Sequence, residues 1–576
     1  MSWYETYRQW ELEAEKNPAL KAKLEAAAAE EELEDCFYTS LSFGTGGMRG
    51  RLGPGPNRMN AYTVRKAASG FGAYLLHQSG ADAKEKGVVI AYDPRHESEN
   101  FVVESAKVLG ALGIQVHLFT GIRPTPELSF AVRELGAAGG IMLTASHNPS
   151  SDNGFKVYGE DGGQLVPAQS EQLTGFVERI EDELQIETIA PEEMKAQGLW
   201  HELGKDMDEA YMRHLLQLLP DREDAKAKRS QLKVVFTPLH GTAARLAADI
   251  FNRSGFHAVE TVTEQMVEDP DFSTVTSPNP EDPAAFAYAK RQGFAQGADV
   301  LLATDPDADR VGAAVFSEKA DDYVYLTGNE TGALLLEAAL STQEASTGGV
   351  MLNTIVTSDL GEKIAAAYGV DTWKTLTGFK FIAAHIEALS QADDASFVFG
   401  YEESFGYLAA PFVRDKDALQ ALLLLSELAA EEKARGRSLL DKLEELYEQY
   451  GWHKERTLSV TREGRHGGQE IAAVMEAFRE SYPEIAGGQV VTSVEDYSTG
   501  RMTELSTGTV HTLKLPVSNV LKFHLENGGW FCLRPSGTEP KLKVYCAAVG
   551  NSRTEAEQQL DDLYRDLSER IHAYVT

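Results

Sequence analysis

The sequence predicts a multidomain α/β protein: two or three related α/β domains followed by a final α+β domain. Three observations predict it. At 576 residues the chain is too long for one core, and roughly three to five domains are expected. Short apolar runs alternate with helical stretches, as β-then-α layers require. The same grammar of strand, polar turn and helix then recurs without close sequence identity.

In chain order, residues 8–34 read as a polar, acidic helix with a solvated face, Ala26-Ala-Ala-Ala29 running into Glu30-Glu31-Glu32. Glycine takes over at Phe43-Gly-Thr-Gly-Gly-Met-Arg-Gly50. Val88–Tyr92 is a strand ending at Asp93-Pro94-Arg95. A helix follows over 99–112, then strands at Gln115–Phe119 and Gly139–Thr144. The unit repeats from Leu232–Phe236 into Thr237-Pro-Leu-His-Gly241, from Ala298–Ala303 into an acidic segment, and from Gly349–Asn353 into a helix containing Ala365-Ala-Ala367. Residues 429–436 read as a helix end and Tyr450-Gly451 as a linker. An amphipathic helix over 553–572 closes the last domain. Functional groups are expected at the carboxyl ends of such strands.

Composition bounds the partners. With 54 basic and 88 acidic residues the formal charge is −34, which repels nucleic acid and anionic lipid. An anionic substrate then needs a local basic pocket, and Arg534, Lys541 and Lys543 lie close together in sequence. Cys36, Cys532 and Cys546 fit neither a zinc pattern nor a disulfide framework. The N-terminus lacks a signal-peptide design and no apolar run reaches about 18 residues, so a reducing cytoplasm is expected.

Four segments carry chemistry. Thr144-Ala-Ser-His-Asn-Pro149 puts Ser146 on a bend that Pro149 fixes just past a strand. A triad hydrolase is disfavoured: Gly-x-Ser-x-Gly is absent, and in an extended segment the His147 side chain would point away from Ser146. Lys156 lies shortly downstream as a general acid or base. Asp305, Asp307 and Asp309 alternate, and an extended chain would put their carboxylates on one side, a set suited to Mg²⁺. A calcium EF-hand needs glycine and glutamate where Arg310 and Phe316 stand. Gly400-Tyr-Glu-Glu-Ser-Phe-Gly406 offers Glu402 and Ser404 to sugar hydroxyls, with Lys416 following and Thr377-Gly378 as a second open turn. Arg534-Pro-Ser-Gly-Thr538 joins a bidentate phosphate donor to two hydroxyls and a glycine. No Walker loop occurs, so a phosphate monoester is the better guest.

Together these segments resemble the α-D-phosphohexomutase superfamily, the phosphoglucomutases and phosphomannomutases, over residues 43–548. The Gly-Tyr-Glu-Glu-Ser-Phe-Gly form and extended N-terminus are most similar to the bacterial phosphoglucomutase and mammalian phosphopentomutase branch. The resemblance implies a four-domain, heart-shaped molecule: α/β domains over 1–205, 206–322 and 323–447 and an α+β domain over 448–576. It implies a phosphoryl group on Ser146, and Mg²⁺ held by Asp305, Asp307, Asp309 and a phosphoserine oxygen. It implies a sugar grip at Glu402, Ser404, Thr377 and Gly378. Arg534, Ser536, Gly537, Thr538 and Lys543 would hold the phosphate not being transferred. Arg49 and Arg310 would lie near the reacting phosphate, with Lys156 and Lys416 as proton-handling or phosphate-contacting groups. The expected reaction is interconversion of glucose 1-phosphate and glucose 6-phosphate with glucose 1,6-bisphosphate as intermediate and activator, by a monomer or weak homodimer. Phosphopentomutase or phosphomannomutase specificity, or a metal-dependent phosphohydrolase, are the alternatives. Where many members have serine, Gly46 stands, which removes any side-chain role there.

Overall fold

The computed structural model describes residues 2–27, 30–44, 46–341, 348–392, 395–462, 467–536 and 541–574. The chain forms two compact units, one of Met1–Thr331 with Phe379–Leu439 and one of Gly332–Gly378 with Leu440–Thr576.

The acidic N-terminal stretch departs from the sequence expectation. It is three helices, Trp3–Ala14, Pro18–Ala26 and Glu30–Phe37, not one. Pro18 cannot continue the first helix, and Asn17 caps the second through its side-chain oxygen. Nor are they simply solvated: Trp10, Ala14, Leu20, Leu24, Cys36 and Phe37 close over Tyr62 as a small core. The charges flank an apolar seam that the run of glutamates hides.

In the first unit a six-stranded sheet runs in the order Gly47–Arg51, Asp152–Tyr158, Gly139–Leu143, Val88–Tyr92, Val116–Phe119, Trp200–Leu203. Its inner strands are apolar on both faces because helices cover both, as parallel sheets require. Phe71 of helix Ala61–Ser79 and Phe101 of helix Ser98–Ala111 are fully buried against it. Asn60 starts the first of these helices, accepting the N–H groups of Tyr62 and Thr63.

The second sheet repeats this plan in the order Asp322–Tyr325, Val311–Ser317, Val300–Thr304, Val234–Thr237, Val259–Thr261. In both sheets an antiparallel hairpin, Gly139–Leu143 with Asp152–Tyr158 or Val300–Thr304 with Val311–Ser317, flanks a parallel pair. A third antiparallel hairpin joins Ser396–Glu402 to Gly406–Leu408, and Gly349–Thr354 pairs in parallel with Asp371–Thr375. The leading strands also end alike. Asp93, Thr237 and Thr354 each accept, through a side-chain oxygen, the N–H two residues on, from Arg95, Leu239 and Val356 at 3.1, 3.1 and 3.3 Å. Such Asx and Ser/Thr turns end a strand and aim the next residues outward. This shared device is the structural form of the repeat seen in the sequence.

The C-terminal sheet is built from Trp452–Thr461, Lys541–Gly550, Trp530–Pro535, Leu521–Leu525, Gln489–Asp496, Arg501–Glu504 and Val510–Thr512, all antiparallel neighbours in that order. Helices Gly467–Glu480 and Arg553–Tyr574 bury Val474, Phe478, Leu563 and Leu567 against one face. Gly451 turns the chain into this sheet with φ +97°.

His453, beside that turn, is 2% exposed. Burial, with Lys363 nearby, pushes its pKa down to about 4. The unfolded chain binds the proton near pH 6.5 and the folded chain does not. Stability from this group is therefore complete above pH 6.5 and lost as pH falls toward 4, up to about 3 kcal/mol in all. The urea midpoint should drop between pH 7.5 and pH 5, and His453→Gln should flatten that drop.

Candidate active site

Ser146 begins the turn that follows strand Gly139–Leu143. Its φ is +53°, the left-handed region. Its N–H donates to Thr144 Oγ1 at 2.7 Å, and Thr144 Oγ1 donates to Asp93 Oδ2 at 2.6 Å. The backbone is therefore not extended, and the expectation for His147 is corrected: its Nδ1 lies 3.1 Å from Ser146 Oγ. Alternation of side chains fails wherever a residue leaves the β region. Burial, then Arg310 and Arg49, holds the His147 imidazole well below its ordinary pKa and so neutral.

The Ser146 hydroxyl donates to Asp305 Oδ2 at 2.7 Å, across 159 residues of sequence. Asp305, Asp307 and Asp309 are 0%, 0% and 3% exposed, and one oxygen from each lies within 4.8 Å of the others. The segment is not extended as the spacing suggested. It is the tight turn of the second hairpin, with Ala308 at φ +54°. Four segments hold it: the Thr125 N–H donates to Asp307 O, the Thr242 N–H to Pro306 O, the Ala418 N–H to Ala308 O, and the Val311 N–H to Phe405 O. The turn converges the carboxylates more tightly than strand alternation would.

Two lysines flank the cluster. Lys156 Nζ is 2.7 Å from Asp307 and 3.6 Å from Asp309, and Lys416 Nζ is 3.0 Å from Asp309. Burial pushes the carboxyl of Asp307 up, but Lys156 and Lys416 outweigh it and hold the group below its usual range. At Asp305 burial, followed by repulsion from Asp307 and Asp309, wins over the pull of Arg310 and raises the group well above that range. Among the described residues, Asp307 Oδ1 and Asp309 Oδ1 are buried and accept no hydrogen bond. Buried carboxylate oxygens left without donors suit a hard cation, and the residues present fit one.

Glu402 ends the third hairpin's first strand and is 6% exposed. Its carboxylate acts electrostatically on both Arg310 and Lys416, while Arg310 also pairs with Glu281. Ser404 lies in the turn beyond, where Phe405 takes φ +65°. A Cβ on Gly406 would meet the Lys416 Cδ at 2.0 Å, so only glycine lets the lysine stem pass. Arg49, on strand Gly47–Arg51, donates to Asn148 Oδ1 at 3.1 Å beside the serine turn. The structure thus brings together Ser146, Lys156, the three aspartates, Arg310, Glu402, Lys416 and Arg49, all in the first unit.

The second unit carries the remaining predicted residues. Gly378, at φ +117°, and Thr377 follow strand Asp371–Thr375. Arg534 and Lys543 face each other across two paired strands, and the Ser536 N–H closes onto Lys541 O at 2.7 Å. Gly537 and Thr538 lie outside the described residues. Sequence reasoning missed His147, Thr125, Glu281 and Arg95. The one available signal was Asp93-Pro-Arg95, which stands where functional groups gather, at a strand's carboxyl end.

Repeated α/β sheets whose hairpin tips bring a hydroxyl, three carboxylates and flanking cations together define a phosphoryl-transfer class of protein. The chain belongs to the phosphoglucomutase/phosphomannomutase family of the α-D-phosphohexomutase superfamily. Its alpha/beta/alpha domains I, II and III match residues 40–184, 209–317 and 327–450, and its C-terminal domain matches 460–565. A phosphoglucomutase of Staphylococcus epidermidis is 40% identical over 532 residues, 92% of this chain and 95% of that protein. One from Staphylococcus saprophyticus is 39% identical over 553 residues, 95% and 98%. In fold, the chain is similar to the phosphoprotein parafusin of Paramecium, a phosphoglucomutase, with TM-score 0.67 and 18% identity over 93% of this chain and 95% of that one. It is also similar to a phosphoglucomutase/phosphomannomutase family protein of Burkholderia thailandensis, with TM-score 0.65 and 20% identity over 92% and 97%.

Proposed function

We propose that the protein is a phosphoglucomutase, interconverting glucose 1-phosphate and glucose 6-phosphate. The observation that carries this reading is the 2.7 Å contact of Ser146 Oγ with Asp305, inside a buried carboxylate cluster, in a chain about 40% identical to phosphoglucomutases over most of its length. In its working state Ser146 carries a phosphoryl group. The P–Oγ bond breaks as a P–O bond forms to a sugar hydroxyl, whose proton passes to a neighbouring base. The bisphosphate so made turns end for end, and the other phosphate returns to Ser146. Mg²⁺, held by Asp305, Asp307, Asp309 and a phosphoserine oxygen, would supply charge neutralisation for the transferring group.

The chain's own residues do the rest. Arg49, Arg310, Lys156 and Lys416 set positive charge around the equatorial oxygens, and the lysines also handle the proton. Glu402 and Ser404 accept sugar hydroxyls, with Thr377 and Gly378 as a second sugar contact. Arg534, Ser536, Gly537, Thr538 and Lys543 hold the phosphate not being transferred, so one grip serves both orientations. Arg534→Ala should then raise KM by about 10–100-fold with a smaller change in kcat. Three buried cysteine thiols suit work in a reducing cytoplasm. Among the described residues no helix is long and apolar enough to cross a membrane.

Turnover of glucose 1-phosphate, mannose 1-phosphate and ribose 1-phosphate, each with Mg²⁺ and catalytic glucose 1,6-bisphosphate, tests the reading. Preference for glucose supports it. Preference for mannose or ribose assigns the specificity to a sister activity. Stoichiometric release of inorganic phosphate overturns it in favour of a phosphohydrolase.

A further inference from the structure

We propose that Arg95 is the positioning residue that seats the Ser146 hydroxyl. The proposal rests on the phosphoryl-transfer reading of Ser146 and adds to it the group that keeps the nucleophile's turn in shape. The Arg95 side chain is fully buried, as is that of Asp93. A guanidinium has five N–H bonds, and here all five are used. Nη2 donates to Ser146 O at 2.5 Å and Asn148 O at 2.6 Å. Nη1 donates to Pro149 O at 2.7 Å and Asp152 O at 3.0 Å. Nε donates to Asp93 Oδ2 at 3.1 Å. The Phe272 ring covers the guanidinium, its centroid 5.0 Å from Cζ.

These bonds grip the Ser146 peptide at both ends. Asp93, through Thr144 Oγ1, fixes its N–H, and Arg95 fixes its carbonyl. A serine at φ +53° costs on the order of 1 kcal/mol and persists only where its surroundings over-determine it. Four carbonyls of one turn held by one planar fork are such surroundings. Since no N–H of Arg95 is left for a substrate phosphate, its role differs from that of Arg49 and Arg310. Lysine cannot substitute, because its compact head has three donors and no fork.

The test uses the full chain carrying Arg95→Lys or Arg95→Ala, with Asp93→Asn as a milder second variant that keeps the four carbonyl bonds. Expected for Arg95→Lys are a kcat lower by about 100-fold with KM within about threefold, and amide exchange accelerated over residues 144–152 but not across the rest of the sheet. Millimolar guanidinium should restore part of kcat to Arg95→Ala, and methylammonium should not. If neither Arg95 variant folds, Asp93→Asn decides, with kcat about tenfold lower and faster exchange in the same segment expected. A folded Arg95 variant with kcat within about twofold of the parent overturns the proposal. So does faster exchange spread evenly over residues 47–203, and so does an Asp93→Asn protein unchanged in both readouts. If the parent chain does not isomerise sugar phosphates, the functional reading fails by itself, and the exchange measurement still decides whether Arg95 holds the turn.

Discussion

Ser146→Ala should abolish isomerisation, lowering kcat on the order of 10⁴-fold or more, because the proposed reaction passes the phosphoryl between the two sugar oxygens through the Ser146 hydroxyl. The fold should survive. The hydroxyl makes a 2.7 Å bond to Asp305 and a 3.1 Å contact with His147 Nδ1, so the stability change should stay within about 1–2 kcal/mol. Affinity for glucose 6-phosphate should persist, since the proposed sugar and phosphate grips are untouched. Intact-mass measurement after exposure to glucose 1,6-bisphosphate should show one added phosphoryl on the parent chain and none on the variant. Near-normal turnover by the variant would remove Ser146 from the mechanism.

The second large effect belongs to Asp307. Its carboxylate takes bonds from Thr125 Oγ1 at 2.9 Å and Lys156 Nζ at 2.7 Å, and its other oxygen is buried with no donor among the described residues. Asp307→Asn removes the charge and keeps the volume. Activity at saturating Mg²⁺ should fall by about 10²–10³-fold, and the Mg²⁺ concentration for half-maximal activity should rise. The variant also leaves Lys156 short of a counter-charge in a buried setting, which costs stability as any broken buried ion pair does. A metal titration of activity that superimposes on that of the parent would show that the turn does not hold the cation.

The sequence showed the chemistry more completely than the backbone that presents it. The strand ends were legible from apolar runs closing on polar turns, and each of Ser146, Asp305 and Glu402 was placed at such an end. Missed were the features that depend on positive φ. Ser146 at +53° and Ala308 at +54° convert supposed strand alternation into tight turns. That single difference reverses the direction of His147 and gathers the three carboxylates. Neither residue is glycine, so nothing in the residue type announces the conformation. Arg95 escaped for a related reason: its bonds end on backbone carbonyls, which carry no sequence signature. The N-terminal helices were misjudged because Trp10, Leu20, Leu24 and Phe37 are spaced among many charges, and the seam they make exists only once Pro18 breaks the run.

The reagents at the site stand on the tips of separate hairpins. A strand of five residues is a lever about 17 Å long, so a tilt of about 4° at its far end swings the tip by about 1 Å. Misalignment of that size is enough to cost a reaction about a hundredfold. Conservative changes deep under any one hairpin should therefore produce well-folded proteins that have lost their aim. An inactive variant with an unaltered melting curve would implicate the root of a lever as readily as the group it carries.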